Sequence, residues 1–173
     1  MWCRYFANSF GTDSKVEGKL TSQKWRFDQL ELLAGDDWIW QLHENQSYLG
    51  RMILRLRRET THSLATCTRE EWDSLQTHLR AYETFLSRLF SPDRYNYCQL
   101  GNIYEQLHVH AIPRYRSLRS WCSYEFHDRR WGRNWPPAPV SPLTQEATYQ
   151  FAKWLQTRIA EDSSVQLILE RRS

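Results

Sequence analysis

Gln106, His108 and His110 recur at a spacing of two. On an extended chain, alternate side chains leave the same face, so these three would form a row with steps of about 6.6 Å. Leu107, Val109 and Ala111 would share the opposite face and suit a hydrophobic core. A neutral imidazole near pH 7 can act as a nucleophile, a base or a metal ligand. The metal reading needs a third ligand, from His62, His127 or an acid, and no spacing in the sequence supplies one. The plainest alternative is two polar residues on a solvent-facing strand.

The elements that would hold this row can be read around it. A strand is expected over 106–112, closed by Pro113, and another over 94–100, with Gly101 and Asn102 as the bend between them. Residues 37–43 are rich in β-formers and 50–57 alternate, with Met52, Leu54 and Leu56 on one face and Arg51, Ile53, Arg55 and Arg57 on the other; with Asn45, Gln46 and Ser47 between, they predict a hairpin. Residues 25–33 fit a strand or a short helix. Thr68 and Glu71 have capping-box spacing. Trp72, Leu75, Leu79, Tyr82, Leu86 and Leu89 then form one stripe, which predicts an amphipathic helix over 68–90. Ser141 and Pro142 are expected to open a helix over about 142–160, and the alternation of Val165, Leu167 and Leu169 suggests a late strand. Residues 114–140 show no clean period and read as an ordered loop.

The run His108-Val109-His110-Ala111-Ile112-Pro113-Arg114-Tyr115 resembles the signature of the histidine triad family, in which histidines alternate with apolar residues on a strand, often ending in Pro-Arg. Asn45 and Gly50 with the following strand, Leu64 with the Thr68 capping box, and 96–102 before the triad extend the resemblance over about residues 25–116. Residues 1–24 stand before it as a polar lead-in and 117–173 after it as an extension. The resemblance implies an α+β fold, an antiparallel sheet of about five strands with helices packed on it, commonly paired as a homodimer. It also implies hydrolysis or transfer of nucleoside monophosphoryl groups from dinucleoside polyphosphates or nucleoside phosphoramidates. His108 would be the nucleophile that forms a nucleotidyl-histidine intermediate, His110 would orient it and bind phosphate, and no metal or cofactor would be required. Gly101, Asn102, Asn45 and Arg114 are the candidate phosphate and nucleotide contacts. The sequence departs from the family pattern at Gln106, which replaces the first histidine and cannot carry a protonic charge. It departs again at Ile103, where many members have a hydroxyl residue. Both departures keep open a nucleotide-binding module with little turnover.

Composition bounds the remaining classes. The 173 residues fit one domain, and 25 aromatic residues exclude a disordered polar chain. No apolar run reaches the length of a membrane helix, and no secretory signal is recognisable at the start. Cys3, Cys67, Cys98 and Cys122 form no CxxC pair and read as reduced thiols of a cytoplasmic protein. Nineteen of the 23 basic residues are Arg. Several of them interleave with Trp and Tyr between 114 and 135, a composition that single-stranded nucleic-acid binders use. A net charge of only +3 argues against RNA and for aromatics packed on the sheet with wet Arg heads. His43, His62 and His78 are read as surface or packing residues, with His78 in solvent and His62 able to approach the phosphate end.

Overall fold

In a computed structural model the described residues are 29–60, 62–102 and 104–170. The polar lead-in, Cys3 and Ile103 lie outside them. Five strands, β1 (Glu31–Ala34), β2 (Trp38–Leu42), β3 (Met52–Leu56), β4 (Arg94–Cys98) and β5 (His108–Arg114), form one antiparallel sheet in the order β1-β2-β3-β5-β4. Period-two alternation separates its faces. Trp38, Trp40, Leu42, Met52, Leu54, Leu56, Val109 and Ala111 point into the core. Gln41, Ile53, Arg55, His108 and His110 occupy the other face, with His110 opposite Ile53 and His108 opposite Arg55.

The long helix α1 (Arg69–Leu89) covers the core face. Its start is the expected capping box: the Thr68 side chain accepts from the Glu71 amide, and the Glu71 carboxylate accepts from the Thr68 amide. The buried face differs in phase from the expected stripe. Trp72 is 44% exposed, whereas His78, expected in solvent, is buried. The reason is Trp40, whose indole N–H needs an acceptor in the core and donates to His78 Nδ1 at 2.9 Å. Gly35 makes room for that ring, since a Cβ there would come within 2.5 Å of it.

Strand β5 starts two residues later than expected and runs through Pro113 to Arg114. Its pairing with β3 ends at Ala111, so Pro113 lies beyond the β3 side of the ladder, where a missing N–H costs no bond. The second helix, α2 (Gln145–Glu161), begins at Thr144 rather than Ser141: the Thr144 hydroxyl accepts from the Ala147 amide, while Ser141 Oγ accepts from the Leu143 and Gln46 amides. The expected strand at 165–169 is a helix, α3 (Ser163–Glu170). Asp162 Oδ1 takes the amides of Ser164 and Val165 at its start. Val165 and, three and four residues on, Ile168 and Leu169 pack into the core, while Leu167 stays exposed; in so short a run a period of two and one of 3.6 look alike.

The segment expected as a loop after β5 contains a hairpin, β6 (Arg119–Trp121) and β7 (Tyr124–Phe126). Trp121 packs against Phe151 of α2 with ring centroids 4.7 Å apart. Its cations are largely engaged within the chain: Arg119 with the Phe90 and Ser91 carbonyls, Arg130 with the Asn134 carbonyl, Arg116 over Trp131. Cys67 and Cys98 are free thiols, but Cys122, on the exposed turn of the hairpin, is disulfide-bonded, against the expectation of four reduced thiols. No described helix is long and apolar enough to cross a membrane.

Candidate active site

The second face of the sheet opens into a cleft of about 360 Å³ that brings together His108, His110, Gly101 and Asn102 with His43, Arg55 and others. His108 is held by its backbone surroundings. Its Nδ1 lies 2.8 Å from the Gln106 carbonyl oxygen, which can only accept, so Nδ1 carries the proton. In the neutral ring the lone pair is then on Nε2, the nitrogen a nucleophile or base would use. Burial of the ring and the edge-on contact with His110, at 5.0 Å between centroids, leave it little freedom.

Gln106 stands just before β5 rather than on it, and it does not line the cleft. Its amide donates to the Leu56 carbonyl at 2.6 Å, and its Oε1 accepts from the Tyr104 hydroxyl at 2.7 Å. The hydrogen bond that fixes His108 therefore comes from the main chain of residue 106, and the Gln106 side chain reaches that ring only through Tyr104, whose ring lies 5.8 Å from it. Gln106→Ala is accordingly expected to cost less than about tenfold in turnover, the scale of one ordinary hydrogen bond. Steady-state kinetics with a nucleoside phosphoramidate measures it, and a loss beyond a hundredfold would show that the amide itself is needed.

His43, read from the sequence as a surface or packing residue, is a cleft residue. It follows β2 at the alternation that also places Ile39 and Gln41 on this face, and its ring lies 5.7 Å from that of His110. The Asn45 amide donates to its Nδ1 at 2.9 Å, so the neutral ring has its proton on Nε2. Three imidazoles thus line the cleft, the third from the end of β2 instead of from position 106. It lies one residue past β2, and carrying the alternation of Ile39 and Gln41 to the end of the expected 37–43 strand finds it. Burial first, then the Arg51 cation and the His110 ring, push the pKa of His43 down to about 3. Burial, Arg51 and His108 push that of His110 down to about 4.

Both rings stay neutral in the folded chain where the unfolded chain, with ordinary imidazoles near 6.5, already takes up protons. The unfolded state binds more protons below pH 6.5, so stability falls as pH drops from about 6.5 toward 4 and does not recover below that. Urea midpoints across this range should show the fall, and His43→Asn should flatten it. An unchanged slope in that variant would mean that His43 is not held neutral.

Two expected nucleotide contacts have other uses. Arg114 is buried, with its guanidinium forked onto Asp128 at 2.6 and 3.1 Å and bonded to the Asn96 side chain and to the Arg130 and Arg133 carbonyls, and it does not line the cleft. Asn45 is used by its own turn: its Oδ1 accepts from the Ser47 amide and its Nδ2 donates to the Pro139 carbonyl. The cation that does reach the cleft is Arg55, opposite His108 on β3, with only a loose 3.9 Å pairing to Glu31. Gly101, with φ of +62°, adopts the left-handed turn that glycine permits and puts backbone at the cleft wall beside Asn102. His62 donates from Nδ1 to the Glu105 carbonyl outside the cleft. Among the described residues no group of three or more His, Cys, Asp or Glu side chains could hold a metal ion.

This architecture is the histidine triad fold. Solved structures of three histidine triad proteins superpose on the chain with a match probability of 1.00. The protein from Marinobacter aquaeolei has 24% identity and a TM-score of 0.58, over 76% of this chain and 88% of its own. That from Bradyrhizobium japonicum has 18% identity and a TM-score of 0.60, over 80% and 95%. That from Sinorhizobium meliloti has 22% identity and a TM-score of 0.58, over 82% and 93%. Each superposition spans more of the chain than residues 25–116 alone. No protein-family model matches the sequence. No curated protein matches it either. The resemblance read from the strand holds at the level of the fold.

Proposed function

We propose that the protein is a nucleotide hydrolase or nucleotidyltransferase that works through His108. The observation that carries this reading is the bond from His108 Nδ1 to the Gln106 carbonyl in a ring that lines the cleft, which in the neutral tautomer leaves the lone pair on Nε2. Nε2 attacks the α-phosphorus of a dinucleoside polyphosphate or a nucleoside phosphoramidate. A P–N bond forms, the P–O or P–N bond to the leaving group breaks, and the departing group takes a proton. Water or an acceptor then attacks the same phosphorus, the P–N bond breaks, and the nucleoside monophosphoryl group leaves His108. Phosphoryl transfer is governed by positioning and charge stabilisation. Arg55 and the backbone at Gly101 and Asn102 supply the charge and donors for the non-bridging oxygens, and His43 supplies a neutral Nε2–H.

Turnover of diadenosine tetraphosphate and of adenosine phosphoramidate tests this reading, and release of AMP from either is the expected result. The absence of a third imidazole at position 106 favours a second reading, a nucleotide-binding domain with slow chemistry. Tight binding of AMP with no release from either substrate would select it.

A further inference from the structure

We propose that Trp135 is a positioning residue of this site, carried to His110 by residues 127–140 and fixing the pose of that ring. The inference rests on the proposed reaction for its kinetic consequence, but not for its geometry. The three imidazoles of the cleft are held differently. His108 is fixed by the Gln106 carbonyl and His43 by the Asn45 amide. His110 is 8% exposed, and its Nδ1 is buried without a hydrogen-bond partner. No bond to that nitrogen sets the ring's orientation, so packing must do so, and three rings pack on it: His108, His43 and Trp135, the last with centroids 6.0 Å apart.

Trp135 is itself clamped. The Arg51 guanidinium lies 4.6 Å from its ring, and the Tyr48 hydroxyl donates to its carbonyl at 2.7 Å. Arg51 Nε, like His110 Nδ1, is buried with no hydrogen-bond partner, so the indole is the flat surface against which two unbonded polar groups are packed.

The segment that delivers this indole is tied down along its length. Arg114 holds its start through Asp128 and the Arg130 and Arg133 carbonyls. Asn45 holds the Pro139 carbonyl, and the Gln46 amide donates to Ser141 Oγ just beyond. Arg114 and Asn45 are two of the four residues for which the sequence suggested nucleotide contacts. They serve the site at one remove, by fixing a strap that closes the sheet face beside the cleft. Side chains that must hold a reacting geometry are effective when their own poses are locked by such outer contacts, and a misplacement of about 1 Å costs about a hundredfold.

Trp135→Ala and Trp135→Phe in the full chain test this. Two readouts are taken: kinetics with adenosine phosphoramidate, and the titration of the His110 ring followed by NMR. The groups facing that ring are Arg51 at the start of β3, His43 after β2, His108 on β5 and Cys98 on β4, and none of them is altered. Trp135→Ala is expected to lower kcat by about 10- to 100-fold with KM changed less than about threefold. The His110 midpoint should rise by at least about 0.5 unit, as water reaches the ring and the cost of charging it falls. Trp135→Phe, which keeps a flat ring, should restore most of both. If Trp135→Ala proves unfolded by circular dichroism, Trp135→Leu replaces it, with the same expectations. A folded variant with unchanged kcat and an unmoved His110 midpoint overturns the proposal, as does Trp135→Phe behaving like the small variant. If the wild-type chain turns over no substrate, the proposed reaction fails, and the His110 titration alone decides the role of Trp135.

Discussion

His108→Ala is expected to lower turnover by about 10⁴-fold or more, the scale on which an enzyme loses its nucleophile. The variant should still bind AMP, because Arg55, the Gly101–Asn102 turn and His43 all remain at the cleft. His110→Ala should cost less, since contact and orientation are supporting roles. The order separates three readings of the same pair of rings. A solvent-facing strand would lose nothing in either variant. A metal pair would fail together and respond to chelators. A nucleophile with a supporting neighbour gives the graded result. The covalent step has its own signature: wild-type protein quenched in acid during turnover should carry a nucleoside monophosphate adduct, and His108→Ala should carry none. Robust turnover in His108→Ala would overturn the assignment.

What could be read in the sequence followed from local rules. The capping box at Thr68 and Glu71, the alternation at 52–56 and the alternation of His108 with apolar neighbours each depend on residues a few positions apart, and each appears in the structure. The failures share a different cause. His78 is buried because Trp40, 38 residues away, needs an acceptor, and nothing near His78 announces that need. Gln106 looks like a triad member by spacing, yet β5 begins two residues after it, and its side chain answers the Leu56 carbonyl instead. Asn45 is a candidate ligand contact through the resemblance alone, and Arg114 reads equally as a phosphate contact or as the partner of an acid, the role it has with Asp128. The guanidinium fork suits phosphate and carboxylate alike, and only the fold decides which partner arrives. His43 lies within the strand expected over 37–43, on the same alternation as Ile39 and Gln41, but nothing local shows that this face of β2 meets the one that carries His110 two strands away.

Arg114 provides the largest expected effect on stability. Its side chain is 5% exposed and that of Asp128 is 1% exposed, so Arg114→Met would leave a carboxylate buried without its cation. Breaking a buried pair from one side costs about 3–5 kcal/mol. The Arg130 and Arg133 carbonyls lose their donor as well. For a chain of this size the unfolding midpoint should fall by about 10 °C. Arg114→Met combined with Asp128→Leu should recover a good part of that loss, because the expensive state is the unpaired charge rather than the absence of the bridge. Differential scanning calorimetry of the two single variants and the double variant measures the coupling. The same series tests the two roles that a Pro-Arg ending to this strand suggests. A phosphate contact would appear in Arg114→Met as a raised KM at an unchanged melting temperature. An anchor of the 127–140 strap appears as a lowered melting temperature, with the His110 titration displaced in the same direction as in Trp135→Ala. The second pattern is expected, because all five N–H groups of the Arg114 guanidinium are used within the chain, four of them on the segment that carries Trp135 toward the cleft.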